Sequence, residues 1–235
     1  MPDEWLLLGQ LFDAARKRAT VQARRLATAL LDDAVDDAIQ AIAAAYLEGA
    51  RTSFTAYASD LRLGRSVPRE LATVWTSNSL ALGARLVKRL RTTVNAQGEV
   101  TKLFIESYAN TTVQQSLWRG VDQTGQELGT LAEVEWKTWV RAWPRKEHRD
   151  WHTTLEGVTI PVDDAFRLPG GPNAGTSVYG PRAWDSVSDP GEHLNCGHAL
   201  RFSKRAARSD LAKTMERREL VYAPPTGGPI RAAQP

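Results

Sequence analysis

Through its first 63 residues the chain keeps its apolar side chains on a helical period, and this limits the possible fold more than any other feature. Leu26, Leu30, Ala34, Ala38, Ile42 and Ala45 recur every three to four residues, which lays one apolar stripe along a helix. Asp32, Asp33, Asp36 and Asp37 interleave with that stripe and are expected to face water. Alanine favours the helix independently of packing. Gly49 weakens the pattern locally, but Phe54, Tyr57 and Leu61 resume it. The reading is therefore helix from Glu4 to about Leu63, stopped by Gly64 and Pro68. A stripe of this length needs other helices, or another chain, to cover it.

A second helix is expected from Pro68, whose missing N–H is harmless in a first turn. It continues through Leu71, Val74, Leu80, Leu82, Leu86 and Leu90 to about Val94. Its end carries Arg85, Lys88, Arg89 and Arg91, charges that suit a helix C-terminus; DNA contact is the other reading of that cluster. After the turn Asn95–Gly98, a third helix is expected from about Glu99 to Leu128, with Gly129 as its cap. Residues 1–130 contain neither histidine nor cysteine.

The pattern changes at Glu135. Trp136, Thr138, Val140 and Ala142 alternate with Lys137, Trp139 and Arg141, a period of two that reads as a strand ended by Pro144. A short helix within Arg145–Leu155, a strand at Val158–Val162, a loop-rich stretch over Asp163–Pro190 and a closing strand at Asn195–Phe202 follow. One more helix is expected from Arg208. The fold class is α+β: a long N-terminal helical region (1–130), a small module with short strands (131–203) and a basic C-terminal tail (204–235).

Composition excludes several classes. At 42% hydrophobic and 24% charged residues the chain is neither disordered nor membrane-embedded, and no apolar run reaches the ~20 residues of a membrane span. The start, Met1–Leu8, lacks the basic flank and length of a signal peptide. A single cysteine excludes an intramolecular disulfide framework. Net charge is +3, yet residues 201–235 hold eight basic and three acidic side chains. Arg201, Lys204, Arg205 and Arg208 head that block, which reads either as a solvated tail or as a contact for nucleic acid or a partner.

The chemistry-bearing residues cluster. His148, His152, His193, His198 and the one cysteine, Cys196, all fall between Trp136 and Phe202. On a helix the spacing His148-x3-His152 puts both imidazoles on one face, and His193-x2-Cys196-x-His198 adds three metal-competent groups. Together they suit one tetrahedral structural zinc; the alternative is that they are hydrogen-bonded core histidines. Cys196 beside His198 also admits a thiol nucleophile with a base, and a nuclease would recruit Asp150, Glu156, Asp163 or Asp164, although acidic loops are usually just solvated. Trp136, Trp139, Trp143, Trp151 and Trp184 read as core, or as interface anchors.

The order of residues in this window resembles a known family. A strand tryptophan (Trp136), then Arg149-x2-His152-x2-Leu155-x-Gly157-x2-Ile160, then Asp163-Asp-Ala-Phe166, then Asn195-Cys196 leading a last strand, is similar to the Mu F-like head morphogenesis domain over about residues 131–203. Where many members close on Asn-Cys-Arg-Cys, this chain has Asn195-Cys196-Gly197-His198. His152 and His198 stand where some members have cysteines, which makes His152, His193, Cys196 and His198 the implied metal set.

The resemblance implies a minor head protein of a tailed phage or prophage, not an enzyme. Its implied partners are the portal protein, the major capsid or scaffolding protein and packaged DNA, with no membrane. Its implied location is the capsid interior near the portal, and the host cytoplasm during assembly. Trp136, Arg149, His152, Gly157, Asn195, Cys196 and His198 are then motif residues with structural roles, and the cofactor is none or one structural zinc. A metal-dependent nuclease or toxin-like enzyme, and a plain non-specific DNA-binding protein, are the alternatives.

Overall fold

A computed structural model describes residues 2–58, 61, 63–64, 66–96, 101–141, 150–178, 180–181, 198–206, 208, 211–212, 214–216 and 222–223. The chain divides into two compact units, Met1–Leu128 and Gly129–Pro235. The first is helical and the second is built around short antiparallel strands, which makes the protein α+β.

Two helices, α1 (Pro2–Leu31) and α2 (Val35–Tyr57), occupy the stretch that the apolar period marks as one. The break is at Asp33, whose backbone is left-handed (φ 53°). Aspartate tolerates that conformation better than most side chains. The Ala34 N–H returns to the Ala29 carbonyl at 2.8 Å, a helix-ending bond that closes α1. All four aspartates of the segment are exposed, as expected, and Asp36 and Asp37 sit in the first turn of α2, where the helix dipole favours them. Past the break α2 packs on α1, so Leu26 and Ile42 of the one stripe are both fully buried. Arg18 meets Glu48 across this pair.

The remaining helices are α3 (Arg69–Ala96) and α4 (Lys102–Leu131). α2 crosses α4 at a contact only glycine permits. A Cβ on Gly49 would fall on the Leu117 carbonyl oxygen, and one on Gly120 on the Tyr46 carbonyl oxygen. The backbones touch there, and Ser53 donates to the Val121 carbonyl at 2.9 Å beside them. α3 is fixed by Trp75, whose indole N–H donates to Glu127 at 2.6 Å and whose ring meets Phe54 edge-on. Gly129 is not the cap of α4. The left-handed residue is Glu133 (φ 54°), and Val134 and Glu133 donate to the carbonyls of Gly129 and Thr130.

In the second unit β1 (Trp136–Arg141) is the centre of a three-stranded antiparallel sheet. β2 (Thr159–Pro161) lies on one side, with Thr138 opposite Thr159; β5 (His198–Ser203) lies on the other, with Trp139 opposite Leu200. Lys137, Thr138 and Trp139 are all buried, so both faces of β1 are covered.

The stretch expected to be loop contains two short strands, β3 (Ala165–Arg167) and β4 (Ser177–Val178). Mutual bonds between Leu168 and the Gly175–Thr176 backbone close the turn that joins them. β6 (Tyr222–Ala223) pairs with β3, so part of the segment assigned to the tail belongs to this module.

Candidate functional site

The densest cluster of functional side chains gathers round Trp139. That residue is fully buried, and both of its backbone groups are held by the segment leading into β2: its N–H donates to the Val158 carbonyl and its carbonyl accepts from Gly157. Gly157 needs a positive φ (79°) to turn its N–H inward. The turn it ends starts from α5 (Asp150–Thr154) and tightens through Leu155→His152, Glu156→Thr153 and Val158→Leu155 backbone bonds.

This turn delivers His152 to the core. His152 and His198 are 1% and 2% exposed, and their rings stand edge to face with centroids 5.7 Å apart. Each also meets the Trp139 indole, at 5.4 and 6.0 Å, and Phe166 closes the cluster at 5.2 Å from Trp139.

His198 Nε2 lies 2.8 Å from Glu156 Oε1, and Arg141 Nε donates to the same oxygen at 2.7 Å. Burial pushes the Glu156 carboxyl up, but the hydrogen bonds and charges of Arg141 and His198 outweigh it and hold the group below its ordinary value. Lys137, also fully buried, lies over the Phe166 ring at 5.7 Å. Burial depresses its ammonium to about 8, with Asp164 and then Asp163 opposing the shift.

Of the residues singled out by sequence, Trp136 is half-buried, His152 and His198 meet in the core, and Gly157 makes the turn. Arg149, Asn195, and the other metal candidates His148, His193 and Cys196 lie outside the described residues. Among the described residues no group of three or more histidine, cysteine and acidic side chains is placed to hold a metal. His152 and His198 supply two imidazoles, and Glu156 already engages the Nε2 of one, so a shared metal would use its Nδ1 or displace Glu156. Arg201 is half-buried, and Lys204, Arg205 and Arg208 are exposed.

Sequence reasoning set Glu156 and Asp164 aside as solvated acids. Asp164 is 9% exposed and Glu156 takes part in a three-residue pairing. Arg141, at the end of a strand and alternating in phase with Lys137 and Trp139, was the available signal for its partner.

Two other features bear on chemistry. In the helical unit the buried Tyr46 hydroxyl donates to Gln123 at 2.8 Å, and Gln123 and Trp75 both donate to Glu127. Burial raises both the Tyr46 phenol and the Glu127 carboxyl above their ordinary values. A cleft of about 630 Å³ beside the α1–α2 break sets Arg24 and Arg25 against Asp32 and Asp37, a balanced lining.

No protein-family model, curated protein or solved structure matches this chain. Among the described residues no helix is long and apolar enough to cross a membrane.

Proposed function

We propose that the chain is a minor head protein of a tailed phage or prophage, acting in the capsid interior near the portal and associating with portal and capsid proteins through its helical unit. The observation that carries the reading is what the motif residues do. His152, Leu155 and Ile160 are core side chains and Gly157 is a left-handed turn, so the ordered motif is a recipe for folding the module. Burial of both described histidines favours a structural over a catalytic role for them. Exposed Lys204, Arg205 and Arg208 supply phosphate contacts for packaged DNA without reading its sequence.

Co-expression with the portal and major capsid proteins of a tailed phage tests the reading. The expected result is co-purification with the portal; a chain that stays alone in the presence of both sinks the proposal. A structural zinc on His152, His193, Cys196 and His198 belongs to the same reading. It predicts about one zinc per chain after purification without added metal, and a lower melting temperature with chelator.

A further inference from the structure

On α3 the residues turned away from the rest of the helical unit follow a four-three spacing: Glu70, Val74, Ser77, Ala81, Ala84 and Lys88, all exposed. The opposite side of the helix is the one already used, with Trp75, Ser79, Leu82, Leu86, Val87 and Leu90 buried. Between Glu70 and Arg85 the helix carries no charge, although its outer side is in water. Val74 and Leu80 remain 43% and 38% exposed there. Thr73 turns its hydroxyl back onto the Arg69 carbonyl at 3.0 Å, so that side chain too has its polar group satisfied within its own helix. Four-three spacing is that of a coiled-coil seam, which faces a partner helix along its whole length.

We infer that this face pairs with the same face of a second copy of the chain, the two α3 helices lying antiparallel. Charge selects both the partner and the direction. In one antiparallel register, centred on residue 79, Glu70 meets Lys88 of the second copy, Val74 meets Ala84, and Ser77 meets Ala81. Each seam position then finds its counterpart, with small side chains at the middle and an ion pair at each end. A parallel pair in register would set Glu70 on Glu70 and Lys88 on Lys88. The arrangement is two-fold symmetric and therefore closes at a dimer. Arg91, the next seam position, is held by Asp33 at 2.8 Å and marks where the seam stops.

From Glu70 to Lys88 the seam is about 28 Å long. One helix face of that length buries less than the ~800 Å² per partner of a standard interface, so the dimer is weak and concentration-dependent.

Sedimentation velocity on the full chain, over about 1 to 500 µM, tests this. The expected result is a monomer–dimer equilibrium. Glu70→Lys or Lys88→Glu alone raises the dissociation constant roughly tenfold, since symmetry breaks two pairs at once. The double variant Glu70→Lys/Lys88→Glu restores it. Ala81→Glu leaves a monomer at every concentration, with an unchanged circular dichroism spectrum showing that the fold survives. A wild-type chain that is monomeric throughout overturns the inference. So do single charge reversals without effect, or a double variant that fails to recover.

Discussion

The hydroxyl of Thr214 stands in for a strand residue against Thr159. It accepts the Thr159 N–H and donates to the Thr159 carbonyl, each at 2.8 Å. β2 is an edge strand of its sheet, and Thr159 is 1% exposed, so these backbone groups have no access to water in compensation. Thr214→Val keeps the shape and removes both bonds. It should cost about 1–3 kcal/mol, and hydrogen exchange at the Thr159 amide should accelerate by a matching factor while the helical unit is unchanged.

The α2–α4 crossing makes a sharper forecast. Gly49→Ala and Gly120→Ala each drive a methyl into a carbonyl oxygen of the facing helix, and backbone cannot yield as a side chain can. Each should destabilise the helical unit by about 3 kcal/mol or more. Gly64→Ala, with nothing within 4 Å of the added carbon, is the control and should leave the urea midpoint nearly where it was.

Lys137 gives the second unit an alkaline signature. Its folded value, about 8, lies below that of a lysine in the unfolded chain. The folded state therefore binds that proton less tightly than the unfolded one, and its contribution is full above the ordinary lysine range and lost as pH falls through about 8. Denaturant titrations of the wild type from about pH 7 to about pH 10 should show stability rising by an amount of order 3 kcal/mol from this group. Lys137→Met should abolish the rise. A flat profile in the wild type would mean that the ammonium reaches water.

Glu156 gives the opposite end of the scale. Its carboxyl is held below the ordinary value, so its contribution is complete above that value and disappears as pH falls through the lowered one. Glu156→Ala also leaves the Nε2 of buried His198 without its carboxylate, at a cost of about 1–3 kcal/mol at neutral pH. The variant should lose the acid limb of the stability profile that the wild type shows. An unchanged limb would assign it to other carboxylates.

Most of the helical unit is legible in the sequence because its signals are local. Pro68 announces α3, and its carbonyl accepts the Ala72 N–H just as a first turn requires. The α1–α2 break is not legible. An aspartate in the left-handed region at position 33 looks, in a string of letters, like any other charged residue on a helix surface. The same holds for the cap of α4, where Gly129 carries the expected letter and Glu133 carries the conformation.

In the second unit the strand at Trp136–Arg141 and the His152–Gly157 turn could be read, since each depends on near neighbours, but the alternation does not pick out a buried face, because Lys137 and Trp139 are as buried as Thr138. The pairing at Glu156 could not. Its two donors are 15 residues before it and 42 after it, and no spacing rule links positions brought together only by a sheet. Thr214 is beyond reach for the same reason, lying 55 residues from the strand it closes.

The central place of β1 also sets an order of events. Thr138 meets Thr159, 21 residues ahead, on one side, and Arg201 on the other. The second loop is about three times as long as the first, and chain statistics make it costlier to close by about 1 kcal/mol. The β1–β2 hairpin is thus the natural seed, complete on a nascent chain while β5 is still unsynthesised. Until β5 arrives, one edge of β1 and the indole of Trp139 stand open, and it is in that interval that a chaperone or a neighbouring chain has its chance to intervene.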